Sequence, residues 1–137
     1  DRALEAAGLQ RLAGRTLDEL SGGEAQCAMI ARALAQEPRV LLLDEPASHL
    51  DLAHQVRVHR LLRELAAERG VALVCVSHDI NLAARFADEL CFLQGGRVAA
   101  SGPPADVLRK ELLEAVFGVR VRLVECPGRS VPLVVAE

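Results

Sequence analysis

A short apolar run that ends in two acids restricts the fold of this chain more than any other feature. The run is Val-Leu-Leu-Leu at 40–43, and Asp44, Glu45 and Pro46 follow it directly. A continuous apolar run of this length is typical of a strand that is buried on both faces. The two acids therefore lie at the end of a predicted strand.

A second apolar run follows at the spacing of a strand, a helix and another strand. Residues 52–69 place apolar side chains at helical intervals with charges between them, and Gly70 ends the pattern. Residues 71–76 form the second predicted buried strand. This order predicts a βαβ unit and a parallel sheet, so the chain is expected to have an α/β fold.

The remaining segments predict helices and hairpins around this unit. Gly95-Gly96 between two apolar segments is a strong signal for a two-residue hairpin turn. We expect no domain linker within 1–137. The other predicted elements are a short helix and a connection in 1–20, helices over 22–36, 81–88 and 105–117, and hairpins formed by 90–93 with 97–100 and by 119–124 with 131–135.

Composition excludes several classes of function. Of the 137 residues only 2% are aromatic, and the formal net charge is −3 with basic residues scattered along the chain. Proteins that bind nucleic acid usually present a basic face or aromatic stacking platforms, so no nucleic-acid partner is expected. No apolar run approaches the roughly 20 residues that a membrane-spanning helix needs.

The four cysteines do not form a metal or redox motif. No two of them are spaced as a CxxC pair, so neither a zinc site nor a dithiol is indicated. Cys75 and Cys91 lie within apolar runs and are predicted to be small buried hydrophobic residues.

A capping pattern opens the helix at 22–36. Ser21 can cap this helix, and Glu24, three residues later, can complete a capping box. Gly22 and Gly23 would let an anion approach the backbone amides at the helix N-terminus, where the helix dipole favours negative charge. Taken alone, the pattern is equally that of an ordinary helix cap.

Three polar side chains are expected at the carboxyl edge of the sheet, where open α/β folds place ligands. Asp44 could hold Mg²⁺, and Glu45 could orient an attacking water. His78 comes after the second strand and is expected near Glu45. Each has a simpler interpretation, as a solvated strand end or a structural histidine. Asp51, after Ser48, is a plausible cap for the helix at 52–69.

The order of these segments resembles the ABC ATPase family. Residues 20–24, 40–46, 48–51 and 76–79 resemble its signature, Walker B, D-loop and H-loop in series. The resemblance implies a parallel-sheet P-loop NTPase fold with C-terminal β-hairpins and a short helix, in which two nucleotide-binding domains enclose two ATP molecules. It would make residues 1–137 part of one such domain.

The resemblance also implies a role for each matched residue. Ser21, Gly22 and Gly23, with Glu24 in the same motif, would contact the γ-phosphate held by the opposite subunit. Asp44 would serve Mg²⁺, Glu45 the hydrolytic water and His78 the γ-phosphate. Asp51 would link the two sites across the dimer.

The chain departs from the family pattern in one large and several small ways. No GxxxxGK[ST] sequence occurs, so the phosphate-binding loop and the Q-loop are missing and we interpret the chain as truncated. We expect that the isolated chain does not bind ATP tightly. Ala25, Cys27 and Ala47 stand where other residues are common, and Cys27, near a helix start, is expected to be a somewhat activated thiol.

A closer resemblance is to the ATPases of bacterial importers for ferric siderophores, haem and cobalamin. It rests on residues 48–52, 78–83 and 114–119 and the Gly95-Gly96 hairpin. It implies a homodimer at the inner face of the cell membrane, with permease subunits and, indirectly, a substrate-binding protein as partners. Two alternatives stay open: a non-transport ABC ATPase, and an inactive remnant that only dimerises or docks.

Overall fold

The computed structural model describes residues 2–137. Of the predicted opening segment, only Asp1 lies outside the described residues. The chain forms two compact units, Asp1–His78 and Asp79–Glu137, and each is described by itself. The expectation that 1–137 belong to one nucleotide-binding domain stays a prediction.

The first unit consists of helices and one pair of strands. Its short opening helix is followed by two 3₁₀ turns, Gln10–Leu12 and Leu17–Glu19. The regular elements are α1 (Arg2–Ala6), α2 (Gly22–Leu34), β1 (Val40–Asp44), α3 (Leu52–Arg69) and β2 (Ala72–Val76).

The two strands of the first unit are parallel, as the βαβ pattern predicts. Val40 pairs with Ala72 and Asp44 with Val76, without a register shift. Helix α3 connects them and ends at Gly70, whose φ of 63° is the left-handed conformation that favours glycine. Both strands therefore deliver their carboxyl ends to the same edge.

The prediction that both strands are buried on both faces is wrong. Leu41 is buried, and Leu43 and Leu73 pack against the core of this unit. Leu42, by contrast, is 74% exposed, and Val74 is exposed as well. Successive side chains of a strand point to opposite faces, and the helices of this unit cover only one of them.

The second unit contains two antiparallel hairpins and three short helices. In each hairpin, two strands that follow one another in the chain pair with each other. The elements are α4 (Ile80–Phe86), β3 (Leu90–Gln94), β4 (Arg97–Gly102), α5 (Pro104–Val107), α6 (Lys110–Phe117), β5 (Val121–Val124) and β6 (Leu133–Ala136).

The predicted hairpin turn at Gly95-Gly96 is confirmed. Both glycines have positive φ, 56° and 74°, which the two central residues of a type I′ turn require. The single helix predicted over 105–117 is wrong, because the chain leaves the helical conformation at Leu108 and Arg109. Val107 and Leu108 are both buried, and the break lets the two adjacent side chains enter the core together.

Two side chains attach the last hairpin to the helices of the second unit. The Asn81 side chain donates a hydrogen bond to the Val134 carbonyl oxygen (3.0 Å) and accepts one from the Val134 amide (2.8 Å). The Glu114 carboxylate accepts a hydrogen bond from the Val121 amide at 3.1 Å. Both strands of the hairpin are therefore fixed through their backbones.

Within residues 2–137 no helix has the length and apolar character that crossing a bilayer requires.

Candidate functional site

The strand ends of the first unit bring Glu45 and His78 together. The distance from His78 Nδ1 to Glu45 Oε2 is 3.3 Å. The Glu45 amide also donates a hydrogen bond to the Val76 carbonyl oxygen at 3.0 Å, which continues the β1–β2 ladder past Asp44. The predicted meeting of these two side chains is confirmed, and we call Glu45 and His78 the strand-end pair.

Both side chains of the strand-end pair are open to solvent. The His78 side chain is 70% exposed and that of Glu45 is 43% exposed. An exposed ion pair contributes little to stability, typically 0–1 kcal/mol. The arrangement is therefore available to a ligand, and the stability of the fold does not explain it.

The backbone at Glu45 adopts a conformation that non-glycine residues rarely take. Its φ is +44°, and a left-handed residue of this kind costs on the order of 1–3 kcal/mol. Ser48 stabilises the turn, because its amide and its hydroxyl both donate to the Glu45 carbonyl oxygen, at 3.1 Å and 2.9 Å. This role of Ser48 was not predicted, although a serine three residues after the turn residue is a usable signal.

Asp44 is the last residue of β1 and its side chain is exposed. Carboxylate oxygens are ligands that Mg²⁺ accepts, and Mg²⁺ usually combines one or two carboxylates with phosphate oxygens and water. No group of three acidic, histidine or cysteine side chains in residues 2–137 is arranged to hold a metal ion. Asp44 therefore fits a shared Mg²⁺–phosphate site better than an all-protein metal site.

The start of α2, residues Ser21 to Glu24, is a complete capping box, as predicted. The Glu24 amide donates to Ser21 Oγ at 3.4 Å, while the Ser21 amide and hydroxyl both donate to Glu24 Oε2 at 2.8 Å. The bond from the Ser21 amide, together with that from its hydroxyl, lowers the pKa of the Glu24 carboxyl. We call these four residues the helix start.

The two glycines at which an approaching anion was expected differ in their surroundings. Ser21 and Gly22 are exposed, but Gly23 is buried. The ring of His54 lies against the Cα of Gly23, so that an added Cβ would be 2.7 Å from His54 Cγ. The glycine pattern in the sequence cannot distinguish approach by a ligand from approach by a neighbouring side chain.

Asp51 caps α3, as predicted. Its Oδ1 accepts hydrogen bonds from the His54 amide and the His54 ring, each at 2.9 Å. The hydrogen bond from the His54 amide, and to a smaller extent that from the His54 ring, lowers the pKa of the Asp51 carboxyl. The carboxylate is exposed, and its partner His54 was not predicted.

Two expectations about the cysteines are wrong. Cys27 is only 2% exposed, and burial raises the pKa of its thiol, so it is not an activated nucleophile. Cys75 and Cys91 were expected to be buried but are exposed. Cys91 lies on the face of β3 opposite the buried Leu90 and Phe92. Cys75 shares the face of Leu73 but lies next to the last residue of β2, where it is exposed.

Known proteins are similar in sequence to this chain over nearly its whole length. The family described as ABC transporter matches residues 1–48. The hemin import ATP-binding protein HmuV of Rhizobium meliloti (strain 1021) is 46% identical over 145 residues, which cover 100% of this chain and 55% of HmuV. The ferric enterobactin transport ATP-binding protein FepC of Escherichia coli (strain K12) is 42% identical over 134 residues, 98% of this chain and 49% of FepC.

The chain is similar over nearly its whole length to the ATP-binding proteins of ABC transporters. It spans about half the length of the curated relatives it matches. The resemblance noted from the four motifs is therefore confirmed, including the likeness to haem and siderophore importer ATPases.

Solved ABC structures share the fold of the chain. A metal-chelate type ABC transporter in an inward-facing conformation has a TM-score of 0.89 and 33% identity, covering 99% of this chain and 55% of that chain. A dimeric ATP-binding cassette in a post-hydrolysis state, bound to ADP and Pi, has a TM-score of 0.63 and 38% identity, covering 75% of this chain and 44% of that chain. The predicted α/β class of the ABC ATPases, with C-terminal hairpins, is confirmed.

Proposed function

We propose that this chain is part of the ATP-hydrolysing, energy-coupling subunit of a bacterial ABC importer. The proposed cargo is an iron siderophore, haem or cobalamin. The names of its relatives support this, because one is a hemin import protein and another transports ferric enterobactin. A metal-chelate transporter among the similar structures supports the same class of cargo.

The 3.3 Å approach of His78 to Glu45 is the observation that carries the proposal. Glu45 orients and polarises the attacking water as a general base, while His78 contacts the terminal phosphate. Phosphoryl transfer depends mainly on positioning and on charge stabilisation, so an exposed acid and an exposed imidazole at one edge suit this reaction. Asp44 would hold Mg²⁺, which would neutralise part of the charge that develops on the phosphates.

The remaining residues act across a homodimer. Ser21 and Gly22 are exposed at the N-terminus of a 13-residue helix, where backbone amides and the helix dipole favour a phosphate. In the proposed dimer this end contacts the γ-phosphate bound by the second subunit. Gly23 and Glu24 form the first turn of the helix behind this contact. Asp51 lies in the loop that joins the two sites.

The proposed partners follow from the importer assignment. The relatives are the ATP-binding proteins of import and transport systems, and such subunits act with membrane permeases at the inner face of the cell membrane. A substrate-binding protein delivers the cargo to the permease. Residues 1–137 are proposed to be part of one nucleotide-binding domain of this assembly.

The test is Glu45→Gln in the full-length protein that contains this chain. Gln keeps the size of Glu45 but cannot act as a base, so steady-state ATP turnover should fall by ~10²–10⁴. ATP binding should be retained, because the substitution changes no proposed phosphate contact. Turnover is measured by phosphate release and binding by calorimetry.

A variant in the second unit serves as the control. Ser101→Ala lies on an exposed position of β4 and should keep the parent turnover. Unchanged turnover in Glu45→Gln would remove Glu45 as the base. Absence of turnover in the parent protein would instead favour the alternative of a catalytically inactive remnant.

A further inference from the structure

Gly23 has no room for a side chain because of one neighbouring residue. A Cβ built on Gly23 would lie against Cδ2 of His54, 2.7 Å from its Cγ and 2.9 Å from its Nε2. All three of these nearest atoms belong to the imidazole ring. Real Cβ atoms do not approach other atoms this closely, so residue 23 must be glycine while His54 keeps its position.

The position of His54 is fixed by Asp51. The ring Nδ1 and the His54 backbone amide both lie 2.9 Å from the same oxygen of the Asp51 carboxylate. A carboxylate can only accept, so Nδ1 carries the hydrogen and the orientation of the ring is set. The ring is a rigid spacer between the cap of α3 and the first turn of α2.

Gly22, the preceding glycine, shows that this close approach is specific. A Cβ on Gly22 would meet only Leu50 Cδ2 at 3.7 Å, which is an ordinary van der Waals distance. Both glycines thus face the segment 50–54, but only Gly23 is in forced contact with it. Steric exclusion within the chain accounts for one glycine of the pair and not for the other.

We propose that His54 is a positioning residue, which transmits the position of the Asp51 cap to the Ser-Gly-Gly segment. This inference rests on the proposed function, in which both segments act at the dimer contact. When the cap moves, the ring must move with it, and Gly23 and the exposed Ser21 follow because the ring lies against the first turn of α2. His54 itself touches no substrate.

The first experiment replaces His54 in the full-length protein that contains this chain. His54→Asn keeps a donor near the position of Nδ1, whereas His54→Leu is of similar bulk and cannot donate. Displacement of a group near a reacting centre by about 1 Å can cost ~10² in rate. We expect kcat to fall roughly 10-fold or more in His54→Leu and to stay close to the parent value in His54→Asn. ATP binding, measured under conditions that prevent hydrolysis, should be unchanged in both variants.

The second experiment is a double-mutant cycle on the contact itself. Gly23→Ala should lower the unfolding temperature because its methyl group meets the ring. Gly23→Ala combined with His54→Ala should restore the unfolding temperature to that of His54→Ala, since the ring is gone. Gly22→Ala is the matched control for unfolding, because the space around it accepts a methyl group.

The outcomes separate this inference from the proposed function. Equal kcat in His54→Asn and His54→Leu would overturn the positioning role. A double variant as unstable as Gly23→Ala alone, or one that fails to fold where His54→Ala folds, would overturn the steric contact. If Glu45→Gln keeps full turnover, the proposed function fails, while the unfolding cycle still decides whether His54 fixes residue 23 as glycine.

Discussion

The strand-end pair and the helix start of the first unit differ in backbone strain and in how their polar groups are satisfied. At the helix start, the amide and hydroxyl of Ser21 and the amide of Glu24 all have partners inside the chain. At the strand end, Glu45 has a strained φ of +44° and an exposed carboxylate whose partner is an exposed histidine. Strained backbone of this kind clusters at functional sites.

This difference predicts where substitutions act. Changes to the strand-end pair should lower activity and leave stability nearly unaffected. Changes to the helix start should lower stability even where no nucleotide is present. The three predictions below separate these two behaviours, in order of decreasing effect.

The largest effect is expected for His78→Ala. Turnover should fall by at least ~10², because the proposed phosphate contact and the partner of Glu45 are lost together. The unfolding temperature should change little, since the His78 side chain is largely exposed. Phosphate release and thermal unfolding measure the two quantities on the same sample.

The double variant His78→Ala/Glu45→Gln sharpens this prediction. Residues that act as a unit are not additive, so the double variant should be hardly slower than the slower of the single variants. Rate losses that simply multiply would mean that the two groups act independently. If His78→Ala lowered the unfolding temperature as strongly as a core substitution does, the strand-end pair would not differ from the helix start in its effect on stability.

Ser21→Ala should have an intermediate effect, and on stability. Removing the hydroxyl leaves the Glu24 amide without its cap and should cost about 1 kcal/mol in the free energy of unfolding. Chemical denaturation of the protein without nucleotide measures this cost, with Ser101→Ala as the control. A cost indistinguishable from zero would mean that the helix start is not built for folding, and would remove the contrast with the strand end.

The smallest effect is a pH dependence at the helix start. The pKa of Glu24 is lowered in the folded chain by its bonds from Ser21, so the stabilisation is present above the unfolded value, about 4.3 for an ordinary glutamate. It is lost as the pH falls through the lower folded pKa. The stability advantage over Glu24→Gln should therefore be constant near neutral pH and shrink below about pH 4. An advantage that grows on acidification would contradict the sign of this shift.

Local signals predicted the caps and turns better than they predicted burial. The capping box at Ser21, the cap at Asp51 and the turn at Gly95-Gly96 depend on residues within a few positions of one another. Local hydrogen bonds and backbone conformations decide such features, so the sequence contains all the required information. The pairing of Glu45 with His78 was predictable for a related reason, because parallel strands bring their ends to one edge.

Burial depended on what covers each face, and the sequence does not contain that locally. Leu42 and Cys75 lie in runs as apolar as any in the chain, yet both are exposed. Cys27 was expected to be reactive because of its place near a helix start, but its helical face points into the core. The contact between His54 and Gly23 was missed because it joins two helices and has no mark in sequence spacing.

The attachment of the last hairpin has a consequence for variation in length. Asn81 replaces one rung of a β-ladder for Val134, and Glu114 fixes the Val121 amide. These anchors lie on the strands, so the connecting turn at 125–132 is not what keeps the hairpin in place. Because each doubling of a flexible loop costs only about 0.6 kcal/mol, this turn can accept an inserted peptide tag while the strands on either side keep their register.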